Sequence, residues 1–441
     1  MLSGHLTYLI EAQEPDDLRR LAEHLPDEWI ERVVWAAGAA SIRRRRLPAE
    51  QVVWLVIALA MYRHWSISEV LDSLDLALPN EAAPFVSKSA AAQARQRIGE
   101  APLAWLFEQT ARAWTTQDAA HHAFKGLSLW AMDSTTLRTP DSPANREHFG
   151  AQGYASGKVA SYPQVRAVTL TAIPTHPVAD INFGRYDTNA MVYAKSLLPQ
   201  IPEDSLTVFD KGFLAAEILC GLTMGARNRH FLIPAKSTTC WEVIAGTADD
   251  ATVRMRVSQQ ARKKCSALSE FWNARAIRTF DARGRERVLL TSLGERRRFK
   301  PADIVACYER RWQIETSFRE IKQSMLGSEL TLCSRTVEGV YQEIWGALIA
   351  YNLIRREIAS AAWEANLEPT ISFVRALHTI HHEMMWAAVT PAYAKLPACL
   401  QRLRERLKAL PNGKRPGRAC ERVVKSRPKR YTVRYLKQDL N

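Results

Sequence analysis

The chain has 441 residues, 47% hydrophobic and 24% charged, with a formal net charge of +14 and a pI near 9.6. That is material for two to four domains, and the composition excludes wholesale disorder. The longest apolar run, Val52 to Met61, is about half the roughly 20 residues a membrane span requires, so it reads as a buried helix.

The positive excess is concentrated. Residues 401–441 hold 14 Lys or Arg against Glu405, Glu421 and Asp439, and a second basic run, Arg43 to Arg46, precedes the apolar helix. The candidates for so basic a chain are nucleic acid, an anionic membrane or mere solubility, and two basic runs on top of a global excess point to a polyanion partner. The seven cysteines are scattered and lack a C-x-x-C pair, which argues for a reducing compartment and against a disulfide framework or a zinc site. Met1 to Asp17 show no basic start and no signal-like apolar core. The expected location is the cytoplasm.

Residues 16–120 read as helices. Pro48 precedes Gln51 to Arg63, Ser66 or Ser68 can cap Glu69 to Leu78, Ser87 or Ser89 can cap Ala90 to Ile98, and Pro102 opens another helix. Short helices around Ser89 to Arg97 fit a helix-turn-helix whose Arg and Gln side chains reach bases or phosphates. An exposed Ala-rich helix has the same pattern.

From Gly126 the period changes. Leu127 to Met132 is a short apolar run ending on Asp133, and Leu206 to Phe209 ends on Asp210. Strands are expected also at 165–173, 178–183, 230–233 and 287–293, with a helix around Ala190 to Leu198. The polar segment 237–287, containing Trp241 and Trp272, reads as a strand-rich insertion. The fold class is therefore α/β, an α+β mixed sheet with helices against it. From Pro301 the chain is helical again, with helices expected over 303–325, 337–362 and 370–388. The tail after Pro411 is basic and broken by Gly and Pro.

The chemistry lies in the acids. An Asp at a strand end projects into the crevice at the sheet rim, and two on neighbouring strands make a hard oxygen site for divalent cations. A lone Asp there is more often a turn starter, so the third acid decides. In Tyr308-Glu-Arg-Arg311-Trp-Gln-Ile-Glu315-Thr-Ser-Phe-Arg319-Glu-Ile-Lys322, an unbroken helix at about 100° per residue puts Tyr308, Arg311, Glu315, Arg319 and Lys322 on one stripe roughly 80° wide. Cys307, Ile314, Phe318, Ile321 and Met325 form the neighbouring buried stripe. Three cations around one Glu exceed what neutralisation needs. They fit a phosphate backbone lying along the helix.

Tyr308-x2-Arg311-x3-Glu315-x6-Lys322 resembles, at every spacing, the Tyr-Arg-Glu-Lys signature of bacterial insertion-sequence DDE transposases, the family named after insertion element four. Asp-Ser-Thr at 133–135, Asp-x-Gly-Phe at 210–213 and the long insert before the Glu helix are similar too, and the likeness spans roughly residues 40–390. The resemblance implies an RNase H-like catalytic core. It implies that Asp133, Asp210 and Glu315 are catalytic and hold two Mg2+ ions, with Mn2+ as the alternative. Arg311 and Lys322 would grip DNA phosphates and Tyr308 would support the same strand; Arg319 lies outside the signature and only helical geometry nominates it. Some relatives flip a base onto a Trp near the strand after the insert. Arg287 to Leu293 holds no Trp.

Other motifs carry less. His378-x-x-His381-His382-Glu383 lacks the His-Glu-x-x-His order, and Ala235-Lys236-Ser237 lacks the glycines of a phosphate loop, so no nucleotide cofactor is expected. Tyr308 as a recombinase nucleophile would need an Arg and His cluster at comparable spacing. The expected organisation is a helical DNA-binding region over 1–120, a catalytic domain over 121–330 with its insertion, a helical region over 331–400 and a basic tail over 401–441. The expected partners are double-stranded DNA, as element ends and target, and a second copy of the chain in the synaptic complex. Two rival readings are an RNase H-like nuclease that never joins ends and a decayed product that only binds DNA as a repressor.

Overall fold

A computed structural model of the chain describes residues 49–74, 86–121, 123–153, 159–173, 175–224, 227–281, 284–310, 312–327, 332–364 and 372–380, with a few positions between 29 and 47. The basic run at 43–46, the tail at 401–441 and His381 to Glu383 lie outside the described residues.

Among the described residues the helices that lead into the sheet include α1 (Ala49–Met61), α2 (Ile67–Leu74), α3 (Lys88–Ile98) and α4 (Ala101–His121). A helix apolar on every side has to be covered on every side, and in α1 Val52, Val53, Leu55, Val56 and Ile57 are all buried. Ser66 and Glu69 form a reciprocal capping box at the start of α2, the Glu69 amide donating to Ser66 Oγ at 3.2 Å and the Ser66 amide to Glu69 Oε2 at 2.6 Å. Ser87 caps α3 through the Ala90 amide.

α3 carries the Arg and Gln side chains of the expected helix-turn-helix, and residues 75–85 before it lie outside the described residues. On α3, Arg95 turns inward and its Nε donates to Gln342 Oε1 at 3.3 Å. Lys88, Gln93, Gln96 and Arg97 face solvent.

Among the described residues the sheet has ten strands: β1 (Ala123–Phe124), β2 (Leu127–Arg138), β3 (Gln164–Ala172), β4 (Val178–Arg185), β5 (Ser205–Phe209), β6 (Arg229–Pro234), β7 (Glu242–Gly246), β8 (Asp250–Arg256), β9 (Phe271–Phe280) and β10 (Glu286–Thr291). Their spatial order is 4-3-2-5-6-10-9-8-7, with β1 against β2. β2, β3 and β4 form an antiparallel meander, while β5 and β6 run parallel to β2. Parallel neighbours need crossovers, supplied by α6 (Ala190–Leu197) and α7 (Ala216–Thr223); α5 (Pro143–Phe149) lies between β2 and β3. Three antiparallel strands adjoining two parallel ones, with helices on both faces, make the RNase H-like core. The insertion enlarges this same sheet: β7, β8 and β9, with α8 (Gln259–Lys264) between the last two, are joined to β6 through the returning strand β10.

One face of the sheet packs Trp130, Met132, Phe209 and Phe231 against Leu197, Ile218 and Leu222 of α6 and α7. The other packs Leu129, Ala131, Leu206, Val208, Leu232 and Leu289 against α9 (Pro301–Glu309). With both faces covered, β2 and β5 read as continuous apolar runs. α10 (Trp312–Arg319) follows α9, and α11 (Val337–Glu364) returns across the N-terminal helices. α1 to α4, α11 and the outer ends of β2 to β4 share one core. α1 and α11 cross so closely at Gly346 that a Cβ there would stand 2.8 Å from Val56 Cγ1. On the outer strand β4, the Asn352 amide of α11 both accepts from Val178 N and donates to Val178 O, each at 2.8 Å, covering backbone groups that would otherwise lie buried and unpaired. Among the described residues no helix is long and apolar enough to cross a membrane.

Asp180 on β4 gives this core a pH dependence. Burial pushes its carboxyl up to about 6, opposed by the Ile181 amide, reinforced by the Glu108 carboxylate and opposed by Arg112. The unfolded value is near 4, so the native state binds the extra proton. The penalty is absent below about pH 4 and grows as pH rises through 6. Asp180→Asn is expected to stabilise the protein by about 1–2 kcal/mol at pH 7.5, a value discounted for residual solvation of the carboxyl. Urea unfolding at pH 7.5 and pH 4 checks this; an equal effect at both pH values would contradict it.

Candidate active site

The two aspartates are brought together by strand register. β2 and β5 pair in parallel through Met132 opposite Phe209, and the next residue on each strand is an aspartate. Neighbouring strands lie about 4.8 Å apart, so the two carboxylates leave the sheet side by side. Side chains alternate along a strand. Because Leu129 and Ala131 on β2 and Leu206 and Val208 on β5 face α9, Asp133 and Asp210 project to that same face.

Asp133 does not end its strand. β2 continues to Arg138 and stays paired with β3, from Asp133 opposite Thr169 to Arg138 opposite Gln164. Asp133 reaches a rim because β5 stops, leaving β2 without a neighbour on that side. Its Oδ1 accepts from the Ser134 amide at 2.7 Å. Asp210 follows the end of β5 and caps the 3-10 turn Lys211–Phe213, its Oδ2 accepting from the Gly212 amide at 3.1 Å. A Cβ at 212 would stand 3.3 Å from that oxygen, so glycine lets the amide close on the carboxylate. Both aspartates are half-buried.

The helix carrying the third acid is not the unbroken one expected over 303–325. α9 ends at Glu309, α10 begins at Trp312, and Glu320–Met325 is a π-helical turn. Hydrogen bonding to i+5 turns the chain less per residue than an α-helix does, so Lys322 does not keep its place on a stripe counted from Tyr308. α10, the helix that carries Glu315, packs against β2, the strand of Asp133. The Glu315 side chain and all of Arg311 lie outside the described residues. Arg319 is exposed and donates to Thr316 Oγ1 at 3.4 Å, and Lys322 is half-buried.

Tyr308 is 5% exposed and belongs to the core under α9. Arg287 on β10 lies over its ring at 5.0 Å and donates to Glu309 at 3.0 Å. Burial pushes the thiol of the adjacent Cys307 up to about 12, which leaves it protonated and no nucleophile. Two groups beside this helix are not marked by any motif: Arg287, at the start of β10, and Glu320, buried in the π turn, where it pairs with Arg355 of α11. Neither has a sequence signal, since both depend on long-range packing.

Two adjacent carboxylates on one face form a hard, anionic oxygen site whose chemistry suits divalent cations. Among the described residues no cluster of three acidic, His or Cys side chains assembles. The insertion element 4 transposase N-terminal family matches residues 15–108, and the transposase DDE domain family matches residues 125–353. The transposase InsG for insertion sequence element IS4, from Escherichia coli strain K12, is 34% identical over 421 residues, which cover 94% of this chain and 93% of InsG. A cryo-EM structure of a piggyBac transposase synaptic complex with hairpin DNA aligns with TM-score 0.44 and 12% identity, over 91% of this chain and 86% of that one. A transposase DDE domain implies dependence on divalent metal. With that domain family matching more than half of this chain, and InsG matched nearly end to end, the chain belongs to the insertion element 4 family of DDE transposases.

Proposed function

We propose that the protein cuts an insertion element out of DNA and joins it to a new site, with Asp133, Asp210 and Glu315 holding two divalent ions, Mg2+ or Mn2+. The observation that carries this reading is that Asp133 and Asp210 each follow the last paired residues of β2 and β5, Met132 opposite Phe209, on the face of the sheet that meets the Glu315 helix. Bound divalent ions supply the charge that activates an attacking oxygen and stabilises the leaving one. The chain's own residues hold the geometry. The Ser134 and Gly212 amides aim the two carboxylates, and Arg311, Arg319 and Lys322 hold the phosphates of the strand being cut.

In the first step water attacks phosphorus and the P–O3′ bond breaks, leaving a 3′-hydroxyl and a 5′-phosphate. In the second that 3′-hydroxyl attacks a target phosphodiester and displaces its 3′-oxygen. The terminal inverted repeats are read by the N-terminal helices, where α3 offers Lys88, Gln93, Gln96 and Arg97, and by the basic tail. Glutamine suits adenine edges, and arginine suits guanine edges or phosphate. Two copies hold the two ends in the synaptic complex.

The test combines the protein with Mg2+, a labelled duplex of the element end and a supercoiled plasmid. The expected result is cut ends together with labelled plasmid. Cutting without joining would make the protein a nuclease, and binding without either would make it a repressor.

A further inference from the structure

Arg287 stands where the strand returning from the insertion meets the helix leading to Glu315. On β10, Leu289 lies opposite Pro234 of β6. The β5–β6 register, with Val208 opposite Leu232, sets Pro234 at the level of Asp210. Arg287 is therefore two residues beyond the carboxylates. Since Leu289 belongs to the core beneath α9, alternation puts Arg287 on the face from which both carboxylates project.

Its guanidinium lies over the Tyr308 ring at 5.0 Å, and Nη2 donates to Glu309 Oε1 at 3.0 Å. Its buried Nε has no acceptor among the described residues. The Arg287 side chain is 23% exposed and Tyr308 5% exposed, so the cation meets the ring largely out of water, where such a contact is strongest. A planar guanidinium can lie flat on a ring while its edge pairs with a carboxylate; an ammonium cannot do both. Tyr308 and Glu309 are the last two residues of α9, and Glu315 follows six residues later.

We propose that Arg287 is a positioning residue for the metal site: by holding Tyr308 and Glu309 it fixes the end of α9 and so sets where α10 presents Glu315. The inference rests on reading Glu315 as a metal ligand. It gives Tyr308 a task that its burial permits, as the platform on which Arg287 lies.

The test measures three quantities on the full chain: Mn2+ affinity by electron paramagnetic resonance, binding of element-end duplex in EDTA, and cleavage rate in Mg2+. Arg287→Ala is expected to weaken Mn2+ binding about tenfold and slow cleavage about 10- to 100-fold, with end binding unchanged. Tyr308→Leu is expected to weaken Mn2+ equally, and the double variant no further, because both remove one interaction. Wild-type Mn2+ affinity in Arg287→Ala would overturn the proposal. So would an equal loss of end binding in EDTA, which would make Arg287 a phosphate contact. Should Arg287→Ala unfold, two gentler changes carry the test. Arg287→Lys keeps the charge without the flat fork and is expected to weaken Mn2+, while Tyr308→Phe keeps the ring and its Mn2+ affinity; any other order overturns the proposal. Failure of the underlying metal reading looks different, since the wild-type chain and Asp133→Asn would then bind Mn2+ alike, and the proposal would fall with it.

Discussion

Asp133→Asn and Asp210→Asn are each expected to lower cleavage about 10³-fold or more while leaving binding of the element end unchanged. An amide keeps the size of the carboxylate and can still accept from the Ser134 or Gly212 amide. It removes the charge that a divalent ion needs, and losing even one neutral hydrogen-bond donor to a transition-state oxyanion costs about 10²–10³-fold, so losing a charged metal ligand should cost at least as much. End binding draws on cations elsewhere and should not change. Stability separates a metal site from a structural role. Two carboxylates leaving adjacent strands repel each other without metal, so either variant should melt at or above the wild-type temperature in EDTA. Each should also lose the rise in melting temperature that Mn2+ gives the wild type. A variant that melts lower in EDTA, or that cuts as well as wild type, would contradict the assignment.

Arg355→Met is expected to cost about 3–5 kcal/mol of stability, because it leaves Glu320 charged, buried and unpaired. The two side chains are 3% and 8% exposed and form an ion pair between α11 and the π turn. Tyr351 completes the network: its hydroxyl donates to Glu320 Oε2 at 3.1 Å and accepts from Arg355 Nε at 3.2 Å. Burial holds that phenol above its ordinary range, so it remains a donor. The Arg355 guanidinium also lies 5.1 Å from the centre of the Phe373 ring. Removing both charges together, as Glu320→Gln with Arg355→Met, should recover most of the loss, since no uncompensated charge then remains. Urea unfolding of the three variants checks this. A single-variant cost under about 1 kcal/mol, or a double variant no better than Arg355→Met, would contradict it. Because the π turn directly follows α10, the network also holds the far end of the helix that carries Glu315.

Local signals made part of this structure legible in the sequence. Ser66, Ser87 and Pro301 mark helix starts because caps and N-terminal prolines act within one turn, and the apolar runs ending near Asp133 and Asp210 are β2 and β5. What the residues do not reveal is pairing. That Asp133 and Asp210 are neighbours depends on β5 lying beside β2 in one register, a contact across more than seventy residues. Asp133 passes for a strand end because the apolar run stops there, yet Ser134, Thr135 and Thr136 carry β2 onward, hydroxyl and β-branched residues suiting a pleated strand. Counting at about 100° per residue fails after Arg319, where the π turn begins, and it set Tyr308 among DNA-facing cations although the ring is buried under Arg287. Glu320 falls at about 120° on that count, away from the apolar stripe; it is buried all the same because α11 packs there.

The most direct test of the account is an anomalous-scattering map of the protein bound to Mn2+ and element-end DNA. Manganese is expected between the carboxylates of Asp133 and Asp210, on the face of the sheet that meets α9 and α10, with Glu315 completing the set. Manganese bound elsewhere, or bound there without Glu315, would contradict it.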